Sequence, residues 1–401
     1  MESSKPKRRR SETSSTNLRI PEGIILEILW RLPVKSLLKF KSVSKPWLRL
    51  ISSKYFKKTY IENSRKHKAF PHHSIISPCW NPGGMMINSC PLYALLTEQS
   101  THAPPLDCPK ACSSEMLVLG SCNGLICVGV GRDKILLWNP ATRESKELPY
   151  FFDGVNDIEY CGFISYGFGI LDEISGDNYK VYALFYLACW DDEGVPLLCS
   201  MGKVYSLKSN SWGETAVYYN ETPLHGAIES AGKFASGKLH WIRKTAESKW
   251  EIVFLDLTSE TFGGLEKPSD DFVPRFGVLD GCLCLFCDRP KMFDIWIWKK
   301  YGVEDSWIKF SRIPYDSDSW RTPFVTPLPE EWGQLCMLPN GEVLITYMSS
   351  EYESKFVIYS PKDNGFRQRY VDKFKDVDQV EVYSESLVSL VLDDEQEKAK
   401  S

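Results

Sequence analysis

The sequence predicts a mainly β protein with a small all-α unit at its N-terminus. Three observations carry that reading. Residues 18–56 place apolar side chains at helical spacing, between prolines and serines suited to helix starts. From about residue 110 to 392 short β-branched and aromatic runs take over, separated by Gly, Asn, Asp and Pro. Those runs recur every roughly 45–60 residues, a period that suits four-stranded units with variable loops.

Within the first segment, Pro21 suits the first turn of a helix, where its missing N–H is not needed. Ile24, Ile25, Ile28, Leu29 and Leu32 follow at helical spacing, and Leu26 adds a second apolar side. Pro33 ends that helix by disfavouring helical geometry at Leu32. A second short helix is expected from Ser36 to Ser42, with Leu37, Leu38 and Phe40 apolar. Ser44 is a good N-cap for a third, with Pro46 just inside and Trp47, Leu50 and Ile51 on one face. Ser53 can cap a fourth carrying Tyr55, Phe56 and Tyr60. Three or four short helices in roughly 45 residues lie near the lower size limit for an independent core. Because apolar residues surround the first helix, the unit either caps a larger domain or keeps a face for a partner.

The β region is built from two recurring half-units. One is a turn glycine followed by an apolar strand, as in Asn123-Gly124-Leu125, Ser236-Gly237-Lys238, Asp280-Gly281-Cys282 and Asn340-Gly341-Glu342. The other is a strand, a polar turn, and a strand beginning near an aromatic. It appears at Leu136–Leu148, Val204–Trp212, Val253–Phe262, Ile295–Trp307 and Phe356–Phe366. Two hairpins make a four-stranded antiparallel sheet with two apolar faces. Radial stacking covers both faces and protects the edges, so a propeller of about six blades is favoured over a β-sandwich. Residues 70–110 and the final strand Val380–Leu392 are expected to share one blade. The resulting organisation is a basic, Ser-rich tail at 1–16, a helical unit at 17–62, a linker with first strands at 63–109, the propeller-like body at 110–392 and a polar tail at 393–401.

Composition narrows the function classes. A formal charge of −4 over 401 residues provides no global field for nucleic acid. No apolar run reaches the roughly 18–20 residues that span a bilayer, and no signal-peptide core follows the N-terminus. The expectation is a nuclear or cytoplasmic protein whose 13 cysteines are reduced thiols. Cys282, Cys284 and Cys287 lack a matching pair of ligands, and His72, His73 and Cys79 form an incomplete set, so no metal or other cofactor is expected. Lys5, Lys7, Arg8, Arg9 and Arg10 form a candidate nuclear-import run. No nucleophile elbow or phosphate loop is present, and Asp191-Asp192-Glu193 and Asp270-Asp271 read as solvated turn residues.

Residues 18–56 resemble an F-box, the motif that binds the adaptor Skp1 in SCF-type (Skp1–cullin–F-box) ubiquitin ligases. The matching elements are Ile20-Pro21, Ile28-Leu29-x-x-Leu32-Pro33, Val34-Lys-Ser-Leu37-Leu38 and Val43-Ser44-Lys45-Pro46-Trp47. The body resembles the F-box-associated interaction domain of a large plant family, often called F-box/kelch-type. Here the carrying residues are Ser121–Leu125, Trp138-Asn139-Pro140-Ala-Thr142, Tyr166-Gly167-Phe168-Gly169 with Asp177–Val181, Gly237-x-Leu-His240-Trp241, and Tyr383–Val388. Strict kelch repeats carry a Gly-Gly pair in each blade. Gly83-Gly84 and Gly263-Gly264 are not at equivalent places, so the propeller is a diverged one.

The resemblance implies a non-catalytic substrate receptor, with Skp1 docking through Ile20, Pro21, Ile24, Ile28, Leu29, Leu32, Pro33, Val34, Leu37, Leu38, Val43 and Trp47, and with cullin reached through the adaptor. A target protein would meet the longer loops, where Trp190, Trp250, Trp320, Arg321 and Trp332 are candidate anchors, since Trp and Arg dominate interface hot spots. Two competing readings remain at this point. One is a propeller enzyme, such as a glycosidase or oxidase, with a helical cap. The other is a nuclear nucleic-acid scaffold that uses the basic tail.

Overall fold

A computed structural model describes residues 21–66, 72–109, 115–131, 134–150, 160–171, 178–190, 196–219, 231–245, 247–268, 273–279, 281–289, 292–299, 306–314, 335–348, 354–374 and 379–390. Four helices come first: α1 (Glu22–Leu29), α2 (Val34–Phe40), α3 (Lys45–Ser52) and α4 (Lys54–Lys66). Pro21 and Pro33 stand at the N-caps of α1 and α2, with φ of −54° and −59°. The second helix thus starts directly after Pro33, earlier than the expected Ser36, because proline's fixed φ favours a helix start. Ser44 Oγ accepts from the Trp47 backbone N–H at 3.3 Å, and Ser53 Oγ from that of Phe56 at 3.2 Å, so both expected caps form.

The β region opens with β1 (His73–Asn81) and β2 (Gly84–Pro91), then helix α5 (Leu92–Thr97) and β3 (Ser100–His102). Five antiparallel meanders follow. They are β4 (Met116–Cys122), β5 (Leu125–Val130), β6 (Lys134–Asn139) and β7 (Glu144–Glu147); β8 (Tyr160–Ile170), β9 (Tyr179–Trp190), β10 (Pro196–Ser206) and β11 (Ser211–Tyr219); β12 (Ala231–Ala235), β13 (Lys238–Lys244), β14 (Trp250–Asp256) and β15 (Thr261–Leu265). The last two are β16 (Val273–Leu279), β17 (Cys282–Arg289), β18 (Met292–Trp298) and β19 (Trp307–Pro314), then β20 (Leu335–Met337), β21 (Val343–Met348), β22 (Ser354–Ser360) and β23 (Gly365–Asp372). β24 (Glu381–Ser384) returns to pair with β1, His73 opposite Ser384.

The turn glycines fall between the first and second strands of their meanders. Asn123-Gly124 joins β4 to β5 and Ser236-Gly237 joins β12 to β13, each pair with positive φ at both residues. That is the backbone hand a two-residue hairpin turn requires. The polar turns join third to fourth strands, and the four that lie within the described residues each carry one left-handed residue: Arg143, Asn210, Glu260 and Asn364.

The arrangement is propeller-like, but six separate blades are not what the sheets form. Among the described residues there are four sheets of four or more strands and one of three. The difference arises where β8 and β12 pair in parallel, Tyr166 with Ala231 and Gly167 with Gly232, fusing two meanders into one eight-stranded sheet. Glycine allows that approach: a Cβ at Gly167 would lie 2.5 Å from Leu239 Cδ1, and one at Gly169 2.3 Å from Phe234 Cδ2. A further strand, β3, extends the last meander by parallel pairing with β23, where His102 Nδ1 and Asp372 Oδ2 are 2.8 Å apart.

The C-terminal segment locks the ring and seats the helical unit. Asn139, fully buried, donates from Nδ2 to the carbonyls of Ser386 (3.2 Å) and Val388 (2.7 Å). Ser386 Oγ donates to the Asn123 carbonyl at 2.5 Å. Between them, Leu387 enters the core of the helical unit with Leu29, Val34, Leu37, Ile51, Phe56 and Tyr60. The Glu385 carboxylate accepts from the Val34 backbone N–H, serving one of the orphan donors that begin α2. Burial raises the pKa of Glu385, and nearby Lys35 offsets part of that rise.

Candidate functional site

The helical unit has an inner and an outer side. Leu29, Val34 and Leu37 are buried inside, sealed by Leu387 from the β body. These three, assigned to docking from the sequence, therefore do not stand on the surface of this chain. Leu32, Leu38 and Trp47 are half-buried and pack against the same core, Trp47 edge-on to Phe40 at 5.3 Å. Tyr60 Oη donates to the Leu32 carbonyl at 3.0 Å, which fixes the end of α1 against α4.

The outer side keeps Pro21 and Pro33 exposed, with Ile24 at 52 %, Ile28 at 51 % and Val43 at 64 % of full exposure. Ile24 and Ile28 are one helical turn apart and so share a face of α1. Leu48 and Tyr55 are also exposed, and sequence reasoning missed them. Leu48 lies off the Trp47, Leu50 and Ile51 face that the spacing singled out, and Tyr55 was placed on the fourth helix with Phe56 and Tyr60 without a face of its own. Ile20 lies outside the described residues, as do Lys5, Lys7, Arg8, Arg9 and Arg10.

Of the candidate anchors on the β body, Trp250 begins β14, half-buried, with Lys244 Nζ 5.4 Å from its ring centroid. Trp190 ends β9. Trp320, Arg321 and Trp332 lie outside the described residues, and so do the carboxylates Asp191, Asp192, Glu193, Asp270 and Asp271.

The first strands of the meanders and β24 line a partly open pocket of about 230 Å3. Its wall is mostly apolar, including Val118, Phe234, Phe276, Val278 and Met337. One opposite-charge pair interrupts it: Lys233 Nζ on β12 lies 2.5 Å from Glu381 Oε2 on β24. Gln379 binds β4 as a strand would, accepting from the Val118 N–H at 2.9 Å and donating to its carbonyl at 2.5 Å. Burial pushes the thiol of Cys336, on the cavity wall, up to about 12, which keeps it protonated at neutral pH. No group of three or more His, Cys, Asp and Glu able to hold a metal is assembled among the described residues.

Behind Lys233, buried His240 places Nδ1 3.2 Å from the Lys233 carbonyl. Burial lowers the pKa of His240 to about 4, against an ordinary 6.5. The unfolded chain therefore binds a proton between those values that the folded chain refuses, and stability falls as pH drops through the window. We expect wild type to lose up to about 3 kcal/mol from this group between neutral pH and pH 4. Urea unfolding of His240→Gln should show a correspondingly flatter acid limb, and an unchanged limb would rule out His240 as its source.

Comparison with known proteins places both parts of the chain. Residues 17–59 match the F-box domain, and residues 94–390 match the F-box associated beta propeller domain. The Arabidopsis thaliana F-box/kelch-repeat protein At3g23880 is 28 % identical over 381 residues, covering 92 % of this chain and 95 % of the relative. The Arabidopsis thaliana F-box protein CPR1 is 29 % identical, covering 77 % and 76 %. With an F-box at its front and the associated domain matched over most of its length, the chain belongs to the plant F-box proteins that carry an F-box associated β-propeller domain.

Proposed function

We propose that this chain is the target-recruiting subunit of an SCF-type ubiquitin ligase. The outer side of the helical unit docks on a Skp1-like adaptor, which links it to a cullin. The β body holds a target protein beside the ubiquitin-charged enzyme recruited elsewhere in the assembly. The chain itself makes and breaks no bonds; it raises the effective concentration of target near the transfer site. The observation that carries the reading is the exposure of Ile24, Ile28 and Val43 on a unit whose other side is already packed. Water-facing branched apolar side chains gain about 1.5–3 kcal/mol each when a partner buries them fully.

In this reading eight of the twelve residues matched to the motif divide into two roles. Pro21, Ile24, Ile28, Pro33 and Val43 make contact, while Leu29, Val34 and Leu37 hold the helices at the angle that presents them. The basic run Lys5–Arg10 serves nuclear import, and the protein works in the nucleus, the cytoplasm or both. Size-exclusion chromatography of the full chain with a purified Skp1-like adaptor tests the central claim. A stoichiometric complex at micromolar concentration is the expected result, and separate elution of the two proteins overturns it.

A further inference from the structure

We propose that the adaptor surface docking on the helical unit is acidic around an apolar centre, and that the outward face of α3 steers its approach by charge. This deepens the ligase reading and rests on it.

Charge is divided unevenly along the chain. Residues 21–66 hold eleven Lys and Arg against three Glu, a net of +8. Residues 1–20 hold six against two, a net of +4. With −4 for the whole, residues 67–401 carry −16. A cationic helical unit therefore stands on an anionic body, and the small total conceals a strong separation of charge.

Position decides what the cations of the helical unit can do. Lys35 and Lys41 lie within reach of acids of the β body, Glu385 and Glu144. Lys39, Lys45 and Arg49 are exposed, and none of them is in an ion pair among the described residues. Lys45 and Arg49 are one turn apart on α3 and share its outward face with Leu48, while Trp47, Leu50 and Ile51 pack inward. Like charges at that spacing repel, and Lys45 stands at the N-terminus of α3, where the helix dipole opposes a cation. The pair therefore does not serve the fold. Exposed Val43 and Leu48 alternate along this stretch with the three cations.

That mixture selects the partner. Val43 and Leu48 call for a surface that excludes water, and the cations beside them call for carboxylates at its rim. A nucleic acid offers phosphates but little apolar surface. A protein with an apolar centre and an Asp- and Glu-rich border answers both demands. Complementary charge acts mainly on the rate of encounter. An acidic adaptor is repelled by the body and attracted by the helical unit, so it arrives already oriented.

Stopped-flow mixing of the full chain with a purified Skp1-like adaptor, from about 20 mM to about 500 mM NaCl, tests this. The association rate should fall at least about tenfold over that range, while the dissociation rate changes less than about threefold. Lys45→Glu with Arg49→Glu should slow low-salt association at least about tenfold and flatten its salt dependence. Lys134→Glu with Lys208→Glu makes the same charge change at exposed positions of the β body, and should alter the rate less than about threefold. A complex that forms at a salt-indifferent rate overturns the proposal and leaves the ligase reading standing. So does a Lys45→Glu, Arg49→Glu variant that folds and associates like wild type. Should that variant not fold, the wild-type salt series decides alone. Salt-indifferent adaptor association, beside salt-sensitive binding of single-stranded RNA that the double variant loses, also overturns it and assigns the face to nucleic acid. No complex even at about 20 mM NaCl overturns the ligase reading, and this proposal with it.

Discussion

Replacing Ile24 by Glu and Ile28 by Lys together should abolish co-purification with a Skp1-like adaptor while leaving the melting temperature within a few degrees of wild type. The pair is chosen on physical grounds. Both side chains are about half exposed, so neither supports the internal core. Glu at the earlier position and Lys four residues later is the favourable order for a helical ion pair, and each charge suits the helix dipole at its end of α1. The existing Glu27–Arg31 pair uses the same spacing. Folded-state stability should therefore change by no more than about 0.5 kcal/mol. Binding is another matter, because two charges would enter a surface meant to be dehydrated. A loss of about 3–5 kcal/mol, two to three or more orders of magnitude in affinity, is expected. Leu29→Ala supplies the contrast. Its side chain is 1 % exposed, so truncation should cost about 2–5 kcal/mol of stability. Adaptor binding by the double variant at wild-type strength would remove α1 from the docking surface.

The distinction between those two apolar sides was not readable from the sequence. Helix α1 is apolar all round, so periodicity marks a helix without saying which stripe meets the β body. The inward stripe is set by Leu387, which lies far along the chain and carries no local signal. The β architecture was more legible. Left-handed turn positions favour Gly or Asn, and several fall where the sequence punctuates: Asn123-Gly124, Ser236-Gly237, Asn210 and Asn364. The number of separate sheets was not legible, because it depends on a two-residue parallel contact between β8 and β12. The cavity pair was equally hidden. Lys233 and Glu381 are 148 residues apart, and neither sits in a motif. Several residues that carried the family resemblance have clear mechanical work. Lys180 donates to the Leu257 carbonyl at 3.2 Å and pairs with Glu260 at 2.5 Å, tying β9 to the turn between β14 and β15. Asn139, Gly124 and Ser386 meet at the closure. A Cβ at Gly124, whose φ is +81°, would lie 2.3 Å from Ser386 Oγ.

That closure predicts that Asn139→Ala lowers unfolding stability by about 4 kcal/mol and loosens the helical unit as well as the ring. The side chain makes four bonds from a fully buried position. Besides its two donations, Oδ1 accepts from the N–H groups of Ala141 (3.0 Å) and Thr142 (3.4 Å). Each buried partner left unmade costs about 1–3 kcal/mol, less whatever water recovers. Asn139→Asp sharpens the test, because it keeps the shape and both acceptances but sets an anion against two carbonyl oxygens. It should destabilise at neutral pH at least as much as the alanine variant, and part of the loss should be regained on protonation. The effect should travel, since the two carbonyls that Asn139 holds flank Leu387, and Leu387 fills the helical core. Urea unfolding gives the stability change. Hydrogen exchange gives the coupling, with faster exchange expected across α2 and the middle of α4 in both variants. Exchange in those helices at the wild-type rate, despite a destabilised ring, would mean that the helical unit holds its shape without the C-terminal segment. Docking on the adaptor would then owe nothing to the closure.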